Sequence, residues 1–315
     1  MKNLTTVINM IINKFIPRKN SLCLGTVQFG LDYGINNPNG KPPRHKSLEM
    51  LDYAYKRGIR FFDTAAAYGD AEEILGEFIR TRKLEGKIFI TSKLLPNIIL
   101  ENEKNIQGIV EGELKKTLNK LGIKKLYGYY FHTPGYIYNK EIVGALKKCK
   151  ENGLVNNIGV SIYEEKDAIF AANLPVDIIQ IPYSFLDQRL NKTDFFEIAK
   201  KNKVKVFARS AFLQGLVCMR EEKIPQQLEK AKEYLKEFDK IISKYSLSRQ
   251  KAALLFSYNT KNIEHVVFGV DNIDQLKENL DIIEENIDFK KCFDELKDAF
   301  INIEKYIIFP SLWKK

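Results

Sequence analysis

Residues 61–79 read FFDTAAAYGDAEEILGEFI, Phe61 to Ile79. Two phenylalanines lead into Asp63 as a short apolar strand would lead into its polar end. Tyr68 follows beside Gly69, and then Ile74, Leu75, Phe78 and Ile79 fall on one face of a helix. One stretch therefore holds a strand, a loop and a helix, with an acid and a phenol on the loop. Taken singly, Asp63 reads as a cap and Tyr68 as cover for a core edge. Whether they do chemistry depends on what the rest of the chain brings beside them.

The strand–loop–helix unit recurs. Short apolar runs at Leu22–Thr26, Arg60–Asp63, Ile88–Ser92, Leu126–Phe131, Val155–Val160, Asp177–Ile181, Val204–Ala208 and His265–Phe268 suit strands buried on both faces. Helical stripes lie between them, such as Leu48, Leu51 and Tyr55, or Ile106, Val110, Leu114, Leu118 and Leu121. Gly58, Gly86, Gly122 and Gly153 stand where helices would stop. Eight such units predict a single (β/α)8 barrel. A doubly wound sheet is the alternative, but its glycine-rich phosphate turn is missing: the first turn reads LGTVQFG. The longest gap follows the seventh strand. It holds a loop, Arg209 to Pro225, and an extra helix around Leu228, Ala231, Leu235, Phe238 and Ile242. The expected organisation is an N-terminal extension at 1–21, a barrel at 22–288, and a C-terminal helix and tail at 289–315.

The chain has 315 residues, 44% hydrophobic and 29% charged, enough to bury a large core. Its net charge is +10, but the lysines alternate with glutamates along helix faces, as in KAKEYLKEFDKIISK, and form no basic stripe. Nucleic acid is not an expected partner. Cys23, Cys149, Cys218 and Cys292 are scattered without metal-ligand spacing, which predicts no metal site and suits a reducing cytoplasm. Asn9 and Asn13 break the apolar run at the N-terminus, which reads as a short surface helix or strand, and no window is long enough for a membrane span.

In a barrel of this kind the strands' C-terminal ends share one mouth. Asp63 ends the second strand with Tyr68 just beyond, Lys93 ends the third in IFITSK, and His132 ends the fourth in YGYYFHTP. A tyrosine with a pKa near ~10 is a poor acid at neutral pH. A neighbouring ammonium would lower that value, Lys93 can supply it, and Asp63 can pair with Lys93. His132 can hydrogen-bond the oxygen that Tyr68 protonates.

These residues, together with the segment FDTAAAYG, resemble the aldo-keto reductases, NAD(P)H-dependent carbonyl reductases on a (β/α)8 barrel. The likeness runs from about Leu22 to Asn279. It implies a catalytic tetrad of Asp63, Tyr68, Lys93 and His132, with hydride from nicotinamide and the proton from Tyr68. It also implies a cofactor wall. Gly25 and Thr26 would lie near the ribose, and Ser161 and Gln180 would bond the carboxamide. Ile162 stands where the family often has Asn. At the seventh strand end, Arg209 replaces the family's stacking aromatic and would either stack on the nicotinamide or bind a substrate phosphate. Ser210, Phe212, Gln214 and Gly215 would line the pyrophosphate path. In FGVDNIDQLKEN, Gly269 and Val270 would follow the last strand, the helix from Asn272 would offer its N-terminus to an anion, and Gln275 and Asn279 would face the adenine. The resemblance makes NADPH the expected cofactor, with NADH a close alternative because Asp271 and Gln275 stand where NADPH-specific members carry Lys or Arg.

The expected partner is a small carbonyl substrate, an aldehyde, a ketone or a sugar or sugar-nucleotide carbonyl, walled by some of Phe29, Tyr33, Tyr136, Tyr163, Phe212, Phe309 and Trp313. Two other readings are weighed: a cofactor-binding regulatory subunit with the same tetrad, and a metal-dependent hydrolase. The latter needs clustered histidines, and His45, His132 and His265 are far apart in sequence.

Overall fold

A computed structural model describes residues 21–285 and 287–313. Eight parallel strands close into a barrel in sequence order: β1 Ser21–Gly25, β2 Phe61–Asp63, β3 Phe89–Leu94, β4 Leu126–Phe131, β5 Val155–Ser161, β6 Ile178–Pro182, β7 Lys205–Arg209 and β8 His265–Phe268. β1 pairs with β8 to shut the ring, Ser21 opposite His265 and Leu24 opposite Phe268. The (β/α)8 expectation holds.

The strand ends differ from the sequence reading by a residue or two. β3 runs on through Lys93 and Leu94, because these pair with Tyr130 and Phe131 of β4. β7 likewise reaches Arg209, which pairs with Pro182. Counting apolar residues misses such ends, since ladder bonds do not depend on side-chain polarity. Ser21 belongs to β1, and the remainder of the expected N-terminal extension lies outside the described residues.

Outside the barrel lie α1 Arg44–Lys56, α2 Ala71–Arg82, α3 Ile106–Leu121, α4 Lys140–Glu151, α5 Glu165–Ala172, α6 Phe195–Lys201, α7 Ala231–Ser243, α8 Arg249–Asn259, α9 Ile273–Glu284 and α10 Lys290–Ala299. α2 buries Ile74, Leu75, Phe78 and Ile79 against the sheet, each contributing about 1.5–3 kcal/mol of transfer free energy. Asn105 caps the start of α3 by accepting from the Gly108 N–H, and Gly122 ends it at φ +66°, a left-handed turn open to glycine. α8 is absent from the sequence reading. Ala252 through Ser257 are all buried, so the helix has no polar face to mark its period.

Two apolar regions hold the fold. One fills the space between sheet and helices. The other plugs the barrel with Cys23, Tyr130, Ile178, Phe207 and Val267. The long link after β7 is braced from behind: Phe238 of α7 stacks on Phe185 with ring centres 3.9 Å apart, and Phe300, just past α10, meets Phe185 edge-on at 5.1 Å. No helix among the described residues is long and apolar enough to cross a membrane.

Candidate active site

The ends of β2 and β3 build the centre. Asp63 is buried at 3% exposure, and three side chains donate to its carboxylate. Lys93 Nζ reaches Oδ2 at 2.6 Å, Thr91 Oγ1 reaches Oδ1 at 2.8 Å, and Gln180 Nε2 reaches Oδ1 at 2.9 Å. Lys93 is fully buried and also donates to the Thr64 carbonyl at 2.9 Å. Burial opposes its charge, but Asp63 and then Tyr68 outweigh that, and the lysine pKa is raised. Lys93 is a held cation.

The loop after β2 delivers Tyr68. Thr64 N–H donates to Thr91 O at 2.9 Å, and Tyr68 N–H to Ala65 O at 3.0 Å. A one-turn helix, Val27–Gly30, leans against this loop. A Cβ on Gly30 would sit 1.7 Å from the Tyr68 carbonyl oxygen, so only glycine permits that approach. Lys93 Nζ lies 5.0 Å from the centre of the Tyr68 ring, and the His132 ring stands edge-on to it at 5.5 Å. The four residues converge.

Their electrostatics differ from expectation at Tyr68. Loss of water pushes its phenol above the ordinary value; Lys93 pulls it down without cancelling the rise, and Asp63 adds to it. The predicted acidified phenol is thus corrected: Lys93 limits the rise rather than producing a net fall. Burial, followed by the Lys93 charge, lowers the His132 pKa to about 4, so its imidazole is neutral near pH 7. His132 Nδ1 is buried without a hydrogen-bond partner.

One open cavity of about 1310 Å³, mouth included, starts at Tyr68 and His132 and runs along the strand ends to α9. Its wall takes in Gly25, Thr26, Ser161, Gln180, Arg209, Ser210, Phe212, Gln214, Gly215, Gly269, Gln275 and Asn279. Val270 does not line it; its side chain is buried in the core. After β7 the backbone takes left-handed angles at Ser210, Leu213 and Gln214 as well as at Gly215. Such strain in ordinary residues gathers at binding sites. The Arg209 guanidinium lies 4.5 Å from the Tyr163 ring centre and donates to Ile162 O at 3.1 Å. It makes no ion pair among the described residues.

At the far end the expected anion site is largely closed from within. Asn272 Oδ1 accepts from the N–H groups of Asp274 and Gln275 at 3.1 and 3.0 Å, and Gln275 Oε1 takes the Asp271 N–H at 2.8 Å. Two of the first donors of α9, the N–H groups of Asp274 and Gln275, are therefore already engaged. Tyr33, Tyr163 and Phe212 line the cavity, whereas Phe29, Tyr136, Phe309 and Trp313 do not. Phe29 is core, Tyr136 accepts from Ile98 N–H at 2.9 Å, Phe309 lies under Arg189, and Trp313 donates to Tyr306 O.

The sequence reading missed Gln28, Asn36, Asn37 and Gln250, which also line the wall. Gln28 was the most findable, standing as the one amide in the turn after the first strand. Its Oε1 is buried against Gly269 and has no hydrogen-bond partner. That orphan, the strained backbone after β7 and the amides of Gln180 and Asn279 fit a nicotinamide dinucleotide. Among the described residues no group of His, Cys, Asp and Glu could hold a metal.

The sequence profile of the Aldo/keto reductase family matches residues 21–297. The chain belongs to the aldo/keto reductase family. Among relatives of this family, the chain is similar to aldo-keto reductase str7 of Strobilurus tenacellus, 29% identical over 175 residues, 54% of this chain and 51% of the relative. It is similar to aldo-keto reductase yakc [NADP(+)] of Schizosaccharomyces pombe, 29% identical over 162 residues, 48% of this chain and 47% of the relative. The alignments thus span about half the length of these two relatives. The uncharacterized oxidoreductase YqkF of Bacillus subtilis aligns over more, at 24% identity, 75% of this chain and 81% of the relative. Among solved structures, the aldo-keto reductase AKR11C1 from Bacillus halodurans (holo form) superposes with a TM-score of 0.72 over 92% of this chain and 96% of that one, at 18% identity. That likeness supports the barrel. In this member of the family, the convergence of Asp63, Tyr68, Lys93 and His132 rests on their own geometry.

Proposed function

We propose that this chain reduces an aldehyde or ketone to an alcohol with a nicotinamide cofactor, Tyr68 giving the proton. The observation that carries the reading is the convergence of Tyr68, Lys93, Asp63 and His132 at one end of one cavity.

A nicotinamide cofactor, when bound, would supply the hydride for the carbonyl carbon. The chain's residues do the rest. Tyr68 keeps its proton near neutral pH, because burial raises its pKa. When charge builds on the substrate oxygen, the phenol is the nearest acid. Lys93 then stabilises the phenolate left behind, and Asp63 keeps Lys93 charged and in place. Neutral His132 orients the carbonyl through a hydrogen bond without competing for the proton. Ser161 and Gln180 would hold the carboxamide. Gln180 spends its Nε2 on Asp63, so its Oε1 is the atom left for that task. A polar carbonyl such as that of a sugar or sugar nucleotide suits a mouth with Tyr33, Tyr163 and Arg209 on its wall.

The test is a titration of the purified chain with NADH and NADPH, followed by turnover on aldehydes, ketones and sugar carbonyls. Tight cofactor binding with no turnover on any of them would overturn the reading.

A further inference from the structure

Asp271 lies on the cavity wall between β8 and α9, and Gln28, Gln275 and Asn279 line the same wall. Gln275 Nε2 donates to its Oδ2 at 3.2 Å, and Gln28 also hydrogen-bonds its side chain. Gln28 is 9% exposed and its Oε1 has no partner. It is pressed against Gly269, where a Cβ would meet that oxygen at 2.4 Å. The wall thus presents the Asp271 carboxylate, with the unpartnered Gln28 Oε1 buried beside Gly269.

At this end two helix N–H donors that would receive a phosphate are engaged, and no lysine among the described residues lines the wall. Asn272 occupies the N–H groups of Asp274 and Gln275. Arg209 is the one cationic side chain among the described residues that line the cavity, and it is held at the other end against Tyr163. Lys277, on α9, pairs with Asp274 and does not reach the wall.

We propose that this end selects NADH over NADPH, with Asp271 as the discriminating residue, given that the chain binds a nicotinamide dinucleotide as argued above. An adenosine ribose with free 2′- and 3′-hydroxyls offers two donors, and the Asp271 carboxylate accepts from them. A 2′-phosphate brings two negative charges, no donor in place of the hydroxyl, and meets a carboxylate with no cation beside it. An acidic residue on the ribose diol is the general solution for NAD, and a cation on the phosphate the solution for NADP. A single like-charge contact of this kind is worth at least about tenfold in affinity.

The experiment is calorimetric or fluorescence titration with four probes: NADH, NADPH, ADP-ribose and 2′-phospho-ADP-ribose. The expected result is at least about tenfold tighter binding of NADH than NADPH, with the same order in the pair lacking nicotinamide. Asp271→Asn should narrow the gap and Asp271→Arg should reverse it. The Asn variant keeps the shape of the side chain if the Arg variant does not fold. NADPH binding as tightly as NADH to the parent would overturn the inference, and so would an unchanged ratio in Asp271→Asn. Failure of all four probes to bind would instead sink the reading of the site as a reductase. Binding in the reversed order leaves that reading intact.

Discussion

Gln180 donates to Asp63 over 2.9 Å, from β6 to β2, the strand directly opposite in the ring of eight. The bond crosses the barrel just above the plug. Gln180 shares Oδ1 with Thr91 while Lys93 takes Oδ2, so both oxygens of the carboxylate are held. Asp63 is therefore a positioning residue for Lys93, and the predictions begin from that pair.

Tyr68→Phe should lower carbonyl reduction by about 100-fold or more, the usual weight of a positioned acid. Dinucleotide affinity should stay within about twofold, since the ring remains and only the hydroxyl leaves. Steady-state turnover and a titration check both halves. Parent-like turnover in the variant would remove Tyr68 from the reaction.

Lys93→Met should destabilise the fold by about 3–5 kcal/mol, because Asp63 is left buried and uncompensated. Combining it with Asp63→Asn should recover part of that loss, as the double variant buries no net charge. Urea unfolding of the parent, both single variants and the double variant gives the coupling. Strictly additive losses would mean that the pair is not the unit described.

Stability should fall as pH drops from about 6.5 toward 5. Burial depresses His132 to about 4 in the folded chain, from a reference value of 6.5, and pushes His265 still lower. In this window the unfolded chain binds more protons than the folded one, so unfolding free energy rises with pH. Each histidine contributes a slope of up to about 1.4 kcal/mol per pH unit. Glu72 and Asp187, whose carboxyl pKa values burial raises, act in the opposite sense and blunt the acid end of the trend. Urea midpoints across the window test this, with His265→Gln expected to flatten the slope. An equal slope in that variant would count against it.

Gly30→Ala should damage activity more than its size suggests. The added methyl meets the Tyr68 carbonyl and the Ala71 N–H, both backbone atoms, which cannot step aside as a side chain can. The expected loss of stability is about 1–3 kcal/mol, with turnover falling further than cofactor affinity as the Tyr68 loop shifts. A variant with unchanged melting temperature and turnover would show that the loop tolerates the move.

The sequence was most informative where side-chain type and strand order coincide. Asp63, Lys93 and His132 fall at successive strand ends, so the barrel alone brings them together. It was less informative where the outcome depends on competition between effects. The Tyr68 phenol is a case: burial and Lys93 pull in opposite directions, and only their relative size sets the sign. The start of α9 is another, since a helix terminus predicts free donors and the cap chemistry of Asn272 removes them. Asp271 read as a missing cation, whereas the fold makes its carboxylate part of the wall. α8 escaped because its central stretch, Ala252 to Ser257, is buried at every position and shows no period.

The seam between β1 and β8 has a consequence for assembly. Gly25, Thr26 and Gln28 come from one side of it and Gly269 and Asp271 from the other. Residues more than two hundred positions apart must therefore meet before that cavity wall is complete. A partly wound chain can gather Asp63, Lys93 and His132 at the second to fourth strands without this wall, so ligand capture along it would report that the ring has closed.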